Sequence, residues 1–228
     1  MRRTDIVISL GYEEFLIPFL PSKWNTSFSA EKAYLKVGCF RGLGRSMSKW
    51  VLARGAPKFI FMARSGTDMA SAQRLVDDLK ASGALVTVVR GNVINLIDVK
   101  RAVAGIDNSV GGVVQAAMGF MPRIQGSWNL HNAFKGKDHY LEFFLMTFLG
   151  LAATSVGIGM VSEIGCLHEN PEIEAILLRK RIHSINEDEM LQIIDIAISM
   201  PTDIPGGYDE LARGHILTGL EPLGLKEL

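Results

Sequence analysis

The chain has 228 residues, 48% of them hydrophobic, and 24 Lys and Arg balance 24 Asp and Glu, so the formal net charge is zero. That is enough apolar chain for one α/β domain with a sizeable core, and the balanced charge, with no basic block interleaved with aromatics, argues against a nucleic-acid partner. The two cysteines, Cys39 and Cys166, define no disulfide framework, and Cys166 with His168 forms only a C-x-H, so no metal site is expected. Residues 1–5 carry basic groups and an acid with no long apolar core or small-residue cleavage site behind them, which points to a reducing, cytoplasmic setting.

Residues 5–9 read as a strand and 15–21 as an apolar segment closed by prolines. Residues 33–37 form a short strand of alternating apolar character, and 43–54 place Leu43, Met47, Val51 and Leu52 on one helical face. Between them runs Val37-Gly38-Cys39-Phe40-Arg41-Gly42-Leu43-Gly44-Arg45. Gly38, Gly42 and Gly44 have the spacing G-x-x-x-G-x-G, which lets the backbone turn tightly and lets a pyrophosphate approach main-chain N–H groups at a helix N-terminus. An isolated glycine triplet reads equally well as a plain loop before a helix, and the next strand decides between the two.

That strand is the continuous apolar run Phe59-Ile60-Phe61-Met62-Ala63, of the sort buried on both faces of a parallel sheet, and it ends in Arg64-Ser65-Gly66. A carboxylate at this point holds the ribose 2′-hydroxyl of NAD. Arg64 and the Ser65 hydroxyl suit a 2′-phosphate instead, so NADPH is expected in preference to NADH.

Residues 70–81 read as a helix with Ala72, Leu75, Val76 and Leu79 inward, 85–89 as a third strand running into Arg90-Gly91-Asn92-Val93, and 98–104 as a helix. Residues 112–117 read as a fourth buried strand ending in Ala116-Ala117, 141–147 as a fifth and 154–158 as a sixth. Pro171, Ile173, Ile176 and Leu177 mark one amphipathic helix. Met190, Leu191, Ile193, Ile194 and Ile198 mark another, capped by Asn186 or Ser184, and both stripes read as core. Residues 201–214 form a polar, glycine-rich connector. The nineteen residues 143–161 carry no charge, long enough for a membrane helix, but Gly150, Gly157 and Gly159 with Thr147, Thr154 and Ser155 interrupt the run and favour buried strands.

Several stretches carry a resemblance in common: Tyr34-Leu35 into Gly42-Leu43-Gly44-Arg45, Ala63-Arg64-Ser65-Gly66, Val113-Val114-Gln115-Ala116-Ala117-Met118 and Gln125-Gly126-Ser127-Trp128-Asn129-Leu130-His131. Further on come Leu151-Ala152-Ala153-Thr154-Ser155 with Gly159-Met160-Val161, and Thr218-Gly219-Leu220-Glu221-Pro222. In this order, from about Thr4 to the C-terminus, the chain resembles the ketoreductase domain of a fungal-type highly reducing type I polyketide synthase, a member of the short-chain dehydrogenase/reductase family. The resemblance implies a Rossmann-like parallel sheet with flanking helices. It also implies NADPH-dependent reduction of a 3-ketoacyl group on an acyl carrier domain to the 3-hydroxyacyl group. By the same resemblance Gly38, Gly42, Leu43 and Gly44 line the pyrophosphate, Asn92 with Val93 lies against the adenine where relatives usually carry Asp, and Ala116 and Ala117 pass under the ribose. Residues 1–30 then correspond to the end of the preceding synthase region, 31–200 to the reductase domain, and 201–228 to a connector toward a carrier domain.

The departures from the family pattern concern catalysis. In relatives a tyrosine gives the proton, a serine polarises the carbonyl and a lysine positions tyrosine and ribose. Here the chain passes from Met118 directly to Met121-Pro122-Arg123, and Arg123 takes the lysine's position; arginine keeps the charge but is forked and a poor proton relay. Only residues 148–153 separate the fifth and sixth strands, where relatives place the serine, the tyrosine and a crossover helix. The tyrosines are Tyr12, Tyr34, Tyr140 and Tyr208, and four residues beyond them stand Leu16, Gly38, Phe144 and Ala212, so neither Y-x-x-x-K nor Y-x-x-x-N exists.

A parallel crossover takes roughly ten residues or more, and six extended residues reach about 20 Å. The sheet is therefore expected to be incomplete after the fifth strand, or its sixth strand to pair abnormally. The cofactor half is retained and the catalytic half is lacking, so the chain reads as a ketoreductase-derived domain of polyketide biosynthesis that is catalytically degenerate. The alternatives are a non-enzymatic NADPH-binding or interaction fragment, a reductase that recruits Tyr140, or, from the uncharged run, a membrane-associated product.

Overall fold

A parallel sheet forms the centre of the computed structural model, which describes residues 26–104, 110–134, 143–146, 154–157, 161–162, 184–199 and 215–217. In chain order the elements are β1 (Ala33–Val37), α1 (Gly42–Ala53), β2 (Lys58–Ala63), α2 (Ala70–Ala81), β3 (Leu85–Arg90), α3 (Leu96–Ala104) and β4 (Val110–Gln115). A π-helical turn (Pro122–Gly126) then runs into α4 (Ser127–Phe134), followed by β5 (Phe143–Met146), β6 (Thr154–Gly157), α5 (Glu187–Ser199) and β7 (His215–Leu217). The strand order is β3-β2-β1-β4-β5-β6-β7, and every pairing is parallel.

Period-two alternation along β1 and β2 divides the core between the two faces of the sheet. On one face Tyr34, Phe59, Phe61 and Val114 meet Met47 and Val51 of α1, Leu75 and Leu79 of α2, and Met190 and Ile194 of α5. On the other, Leu35, Val37, Ile60, Met62 and Val113 meet Val99 and Val103 of α3 and Leu130 and Phe134 of α4. Each such side chain contributes about 1.5–3 kcal/mol of transfer free energy. β2 is buried at Phe59 to Met62, as its continuous apolar run requires, and β1, read as apolar only at alternate places, is buried along its whole length, whereas β3 mixes exposed and half-buried residues.

The expected parallel sheet with flanking helices is present, and several element bounds differ from the sequence reading, those of α3 and β4 with a visible cause. α3 starts at Leu96, and Asn95 holds its first turn through the Ile97 N–H, which donates to Asn95 Oδ1 at 2.9 Å. β4 ends at Gln115, because its partner β1 ends at Val37 and turns away at Gly38; Ala116 and Ala117 therefore stand beyond the strand, at its mouth. The sheet also continues past β5. β6 pairs with β5 in parallel like its neighbours, at Leu145↔Thr154 and Met146↔Ser155 among the described residues, so the abnormal pairing considered for the sixth strand is not what forms. β6 starts one residue behind the end of β5, so residues 147–153 need only return about 3.3 Å and step about 4.8 Å sideways. A short overlap removes the need for a long crossover.

α5 carries a reciprocal cap: the Glu189 N–H donates to Asn186 Oδ1 at 2.8 Å and the Asn186 N–H donates to Glu189 Oε2 at 2.9 Å. Asn186, rather than Ser184, is thus the capping side chain. Part of the uncharged run forms β5 and β6, and among the described residues no helix is long and apolar enough to cross a membrane. The expected elements at 5–9, 15–21, 171–177 and 201–214, together with Tyr12, Tyr140, Tyr208, Cys166 and His168, lie outside the described residues.

Candidate cofactor site

In an open parallel sheet a ligand binds beyond the carboxyl ends of the strands, where the strand order reverses. Here that point lies between β1 and β4, and the glycine turn leaves β1 there. Gly38 has φ +71°, its N–H donates to the Met62 carbonyl at 3.0 Å, and an added Cβ would stand 2.6 Å from the Ala117 backbone. Gly44 faces the turn so closely that a Cβ would lie 2.3 Å from Cys39 Cα. The Gly44 N–H donates to the Arg41 carbonyl at 3.0 Å and closes the turn, with Gly42 and Leu43 between them at the start of α1. Arg41, at the N-cap, is extended and makes no side-chain cap, and the first turn of α1 holds no acidic residue. A helix start of this kind favours an anion.

Arg64 and Ser65 are both exposed just past β2. Two further arginines flank them. Arg90, at the end of β3, pairs with Asp68 of the β2–α2 loop, and its guanidinium lies over Gly66. Arg41 donates to Met69 Sδ at 3.0 Å, which carries it from the glycine turn to the far end of that loop. Both residues stand inside stretches the sequence marks out, but only the folded loop brings their guanidinium groups beside it.

Asn92 is half-buried after β3; its N–H donates to Asp98 Oδ2 at 2.9 Å, and its Oδ1 accepts from the Ile94 N–H at 3.2 Å. The Oδ1 role is one that an aspartate also fills, and the amide adds a donor in Nδ2. Val93 is buried under it. Ala117 abuts Gly38, and its N–H donates to Gln115 Oε1 at 3.1 Å. Gln115 Nε2 donates to the Pro122 carbonyl at 2.9 Å, which ties the π turn to the end of β4 and sets Arg123 on the next residue. The Arg123 Nε is buried and has no hydrogen-bond partner among the described residues. Met118, Phe120 and Met121 form an exposed apolar lip on the same stretch.

Beneath the turn lies a buried pair that the sequence does not announce. Lys36 is fully buried in β1, its Nζ 5.9 Å from the centre of the Phe59 ring and without a hydrogen-bond partner among the described residues. Burial lowers its pKa to about 8, against a smaller opposing effect of Cys39. Burial pushes the Cys39 thiol up to about 12, with Lys36 and a backbone hydrogen bond opposing. Among the described residues no group of three or more His, Cys, Asp or Glu could hold a metal ion.

The glycine turn, Arg64 and Ser65, Asn92 and Val93, and Ala116 and Ala117 thus surround one end of the sheet. The donor set fits a dinucleotide: close glycine backbone, an uncapped helix start and cationic groups at the end of β2. Residues 32–121 match the family model described as the KR domain. The chain is 56% identical to the highly reducing polyketide synthase srdA of Neurospora crassa, an alignment that covers 98% of this chain. The chain belongs to the ketoreductase domain family of these synthases.

The chain is also 44% identical to the highly reducing polyketide synthase anuA of Penicillium roqueforti over 98% of its own length. It spans 11% of the Neurospora relative and 13% of the Penicillium one, about a tenth of the curated relatives it matches. The Neurospora alignment runs over 271 positions although this chain has 228 residues, so the relative carries intervening residues that this chain lacks. The fold matches a solved A1-type ketoreductase with a TM-score of 0.66 at 18% identity, covering 80% of this chain and 48% of that one. A second match is the ketoreductase from the first module of phoslactomycin biosynthesis in Streptomyces sp. HK803, with a TM-score of 0.62 at 19% identity over 76% of this chain and 52% of the other.

Proposed function

We propose that this ketoreductase domain binds NADPH and lacks the groups that complete the family's reduction of a 3-ketoacyl-carrier thioester to the 3-hydroxyacyl thioester. The observation that carries the reading is the fit of Gly38 against Ala117, where a Cβ would stand 2.6 Å from backbone, with the exposed Arg64 at the end of the neighbouring strand. NADPH, when bound, supplies the hydride. The Gly42–Leu43–Gly44 helix start receives the pyrophosphate, Arg64 and Ser65 take the 2′-phosphate, Asn92 and Val93 flank the adenine, and Ala116 and Ala117 flank the ribose. Arg123 contributes positive charge near the end of β4, and its forked guanidinium is a poor proton relay. No tyrosine stands four residues before a lysine or asparagine, so no residue is assigned to deliver the carbonyl proton.

The natural partner in this reading is an acyl carrier domain of a polyketide synthase, in a reducing, cytoplasmic setting. A second reading, an interaction fragment without turnover, draws on the exposed apolar lip of Met118, Phe120 and Met121. Titration of the purified chain with NADPH and NADH, followed by nucleotide fluorescence, tests the first reading. Saturable NADPH binding that weakens in Arg64→Ala, with no NADPH consumption in the presence of a 3-ketoacyl thioester, supports it. Failure to bind NADPH, or steady NADPH oxidation by the thioester, overturns it.

A further inference from the structure

The loop from β3 to α3 carries Asn92 and Val93, and α4 fastens it by hydrogen bonds. Asn129 of α4, only 3% exposed, donates from Nδ2 to the Val93 carbonyl at 3.0 Å and to the Ile94 carbonyl at 2.6 Å. Its Oδ1 accepts from Gln125 Nε2 at 3.0 Å. A primary amide has two N–H groups, and here both go to consecutive carbonyls, an arrangement that aspartate, serine and leucine cannot reproduce. Gly126 completes the contact: a Cβ there would lie 2.7 Å from Val93 Cγ1 and 3.0 Å from Gln115 Nε2.

We propose that Asn129 is a positioning residue whose carboxamide, oriented by Gln125, fixes the Val93–Ile94 backbone and so holds the adenine-side wall of the cofactor site. The proposal rests on the NADPH reading above. Its physical basis is that Asn129 supplies hydrogen bonds from α4 to a loop whose Val93 side chain is buried in the core. The loop's other bonds run from Gly91 N–H to the Ala63 carbonyl at 3.0 Å, from Asn92 N–H to Asp98 and from the Asn95 N–H to the Asn92 carbonyl at 2.8 Å. Those bonds shape the loop without anchoring it to α4. Gln125 stands two residues after Arg123 in the π turn that Gln115 ties to β4, so the adenine wall and the Arg123 turn share one hydrogen-bonded frame. Displacing the amide would move both.

The test compares Asn129→Leu with the parent chain by titrating NADPH and 2′,5′-ADP, the adenine-side half of the cofactor, at a temperature where circular dichroism shows both chains folded. Asp195→Asn, in α5 on the opposite face of the sheet, serves as a destabilised control. Loss of two buried hydrogen bonds to the wall is expected to weaken both ligands about tenfold in Asn129→Leu, with affinity in Asp195→Asn unchanged. Faster amide exchange at residues 93–95 should accompany that loss. If Asn129→Leu fails to fold, Gln125→Leu replaces it, with an expected weakening of roughly threefold. Unchanged affinity in the Asn129 or Gln125 variant, or a loss matched by the control, overturns the positioning role while leaving the NADPH reading intact. No binding of either ligand by the parent chain overturns the NADPH reading, and the positioning role with it.

Discussion

Arg54, at the end of α1, lies 3.1 Å from the carboxylate of Asp195 in α5, and the two close a junction that sequence distance hides. Asp195 is nearly fully buried and also accepts from the Thr26 N–H at 3.2 Å and from the Thr26 hydroxyl. Arg54 donates to the Thr26 carbonyl at 3.2 Å and stacks on the Trp50 ring at 4.4 Å. One ion pair thereby joins the start of the described chain, α1 and α5.

Removing the acid leaves a partly buried guanidinium without its counter-charge. Asp195→Ala is expected to lower stability by about 2–3 kcal/mol, below the range for a fully buried pair because Arg54 keeps some contact with water. Urea denaturation checks this, and a loss under about 0.5 kcal/mol, the level of an exposed pair, would contradict it.

Lys36 makes stability depend on pH. Its pKa is 10.5 in the unfolded reference and about 8 in the fold, so below about pH 8 both states carry the proton and the cost of burying the charge is felt in full. Between these values the unfolded chain binds a proton that the folded chain does not, and stability rises with pH. Cys39 acts in the opposite sense: it ionises at 9.0 when unfolded but at about 12 when folded, so stability falls as pH rises above about 9. The expected profile rises from about pH 8 to 9, is flat to about 10.5 while the two effects cancel, and falls beyond as Cys39 alone contributes. Lys36→Met should abolish the rise and add about 1–3 kcal/mol at pH 7, by removing a buried cation without a partner. A flat profile in the parent chain would show that Lys36 is hydrated in solution.

Two glycines with positive φ separate conformational strain from close contact. Gly83 has φ +88° with nothing within 4 Å of an added Cβ, whereas at Gly38 the Cβ meets Ala117 at 2.6 Å. Gly83→Ala is expected to cost about 1–2 kcal/mol, the left-handed backbone penalty alone. Gly38→Ala should cost at least 2 kcal/mol more, roughly the overpacking penalty of a tight core, and should abolish NADPH binding. Equal thermal shifts in the two variants would mean that Ala117 yields freely.

Arg64→Ala should weaken NADPH at least about tenfold and leave NADH within roughly twofold, because a charge-assisted contact to the 2′-phosphate is worth about 1.5 kcal/mol or more. Parallel fluorescence titrations give the ratio. Equal weakening of both nucleotides would transfer the 2′-phosphate contact to Arg41 or Arg90.

The local signals for the first half of the chain were strong. Strand 33–37 and helix 70–81 stand where the periodicity puts them, and the glycine spacing marks the turn, because each depends on neighbours within a few residues. The register of β4 was not legible. Residues 112–117 read as one buried strand, and the strand's end is set by where β1 turns away at Gly38. The short link before β6 looked impassable because a full-length overlap was assumed; two residue pairs suffice.

What the sequence alone determined is the chemistry on offer at the strand ends: glycines that let backbone approach a phosphate, a cation after β2, and the absence of a tyrosine spaced to give a proton. The fold decided which groups are held and which are exposed. Lys36 is buried only because α1 and α5 close over the β1 face that carries it, and Asn129 reaches Val93 only because α4 packs under the β3–α3 loop. Such contacts join residues far apart in the chain, and no periodicity or spacing within a segment carries that information.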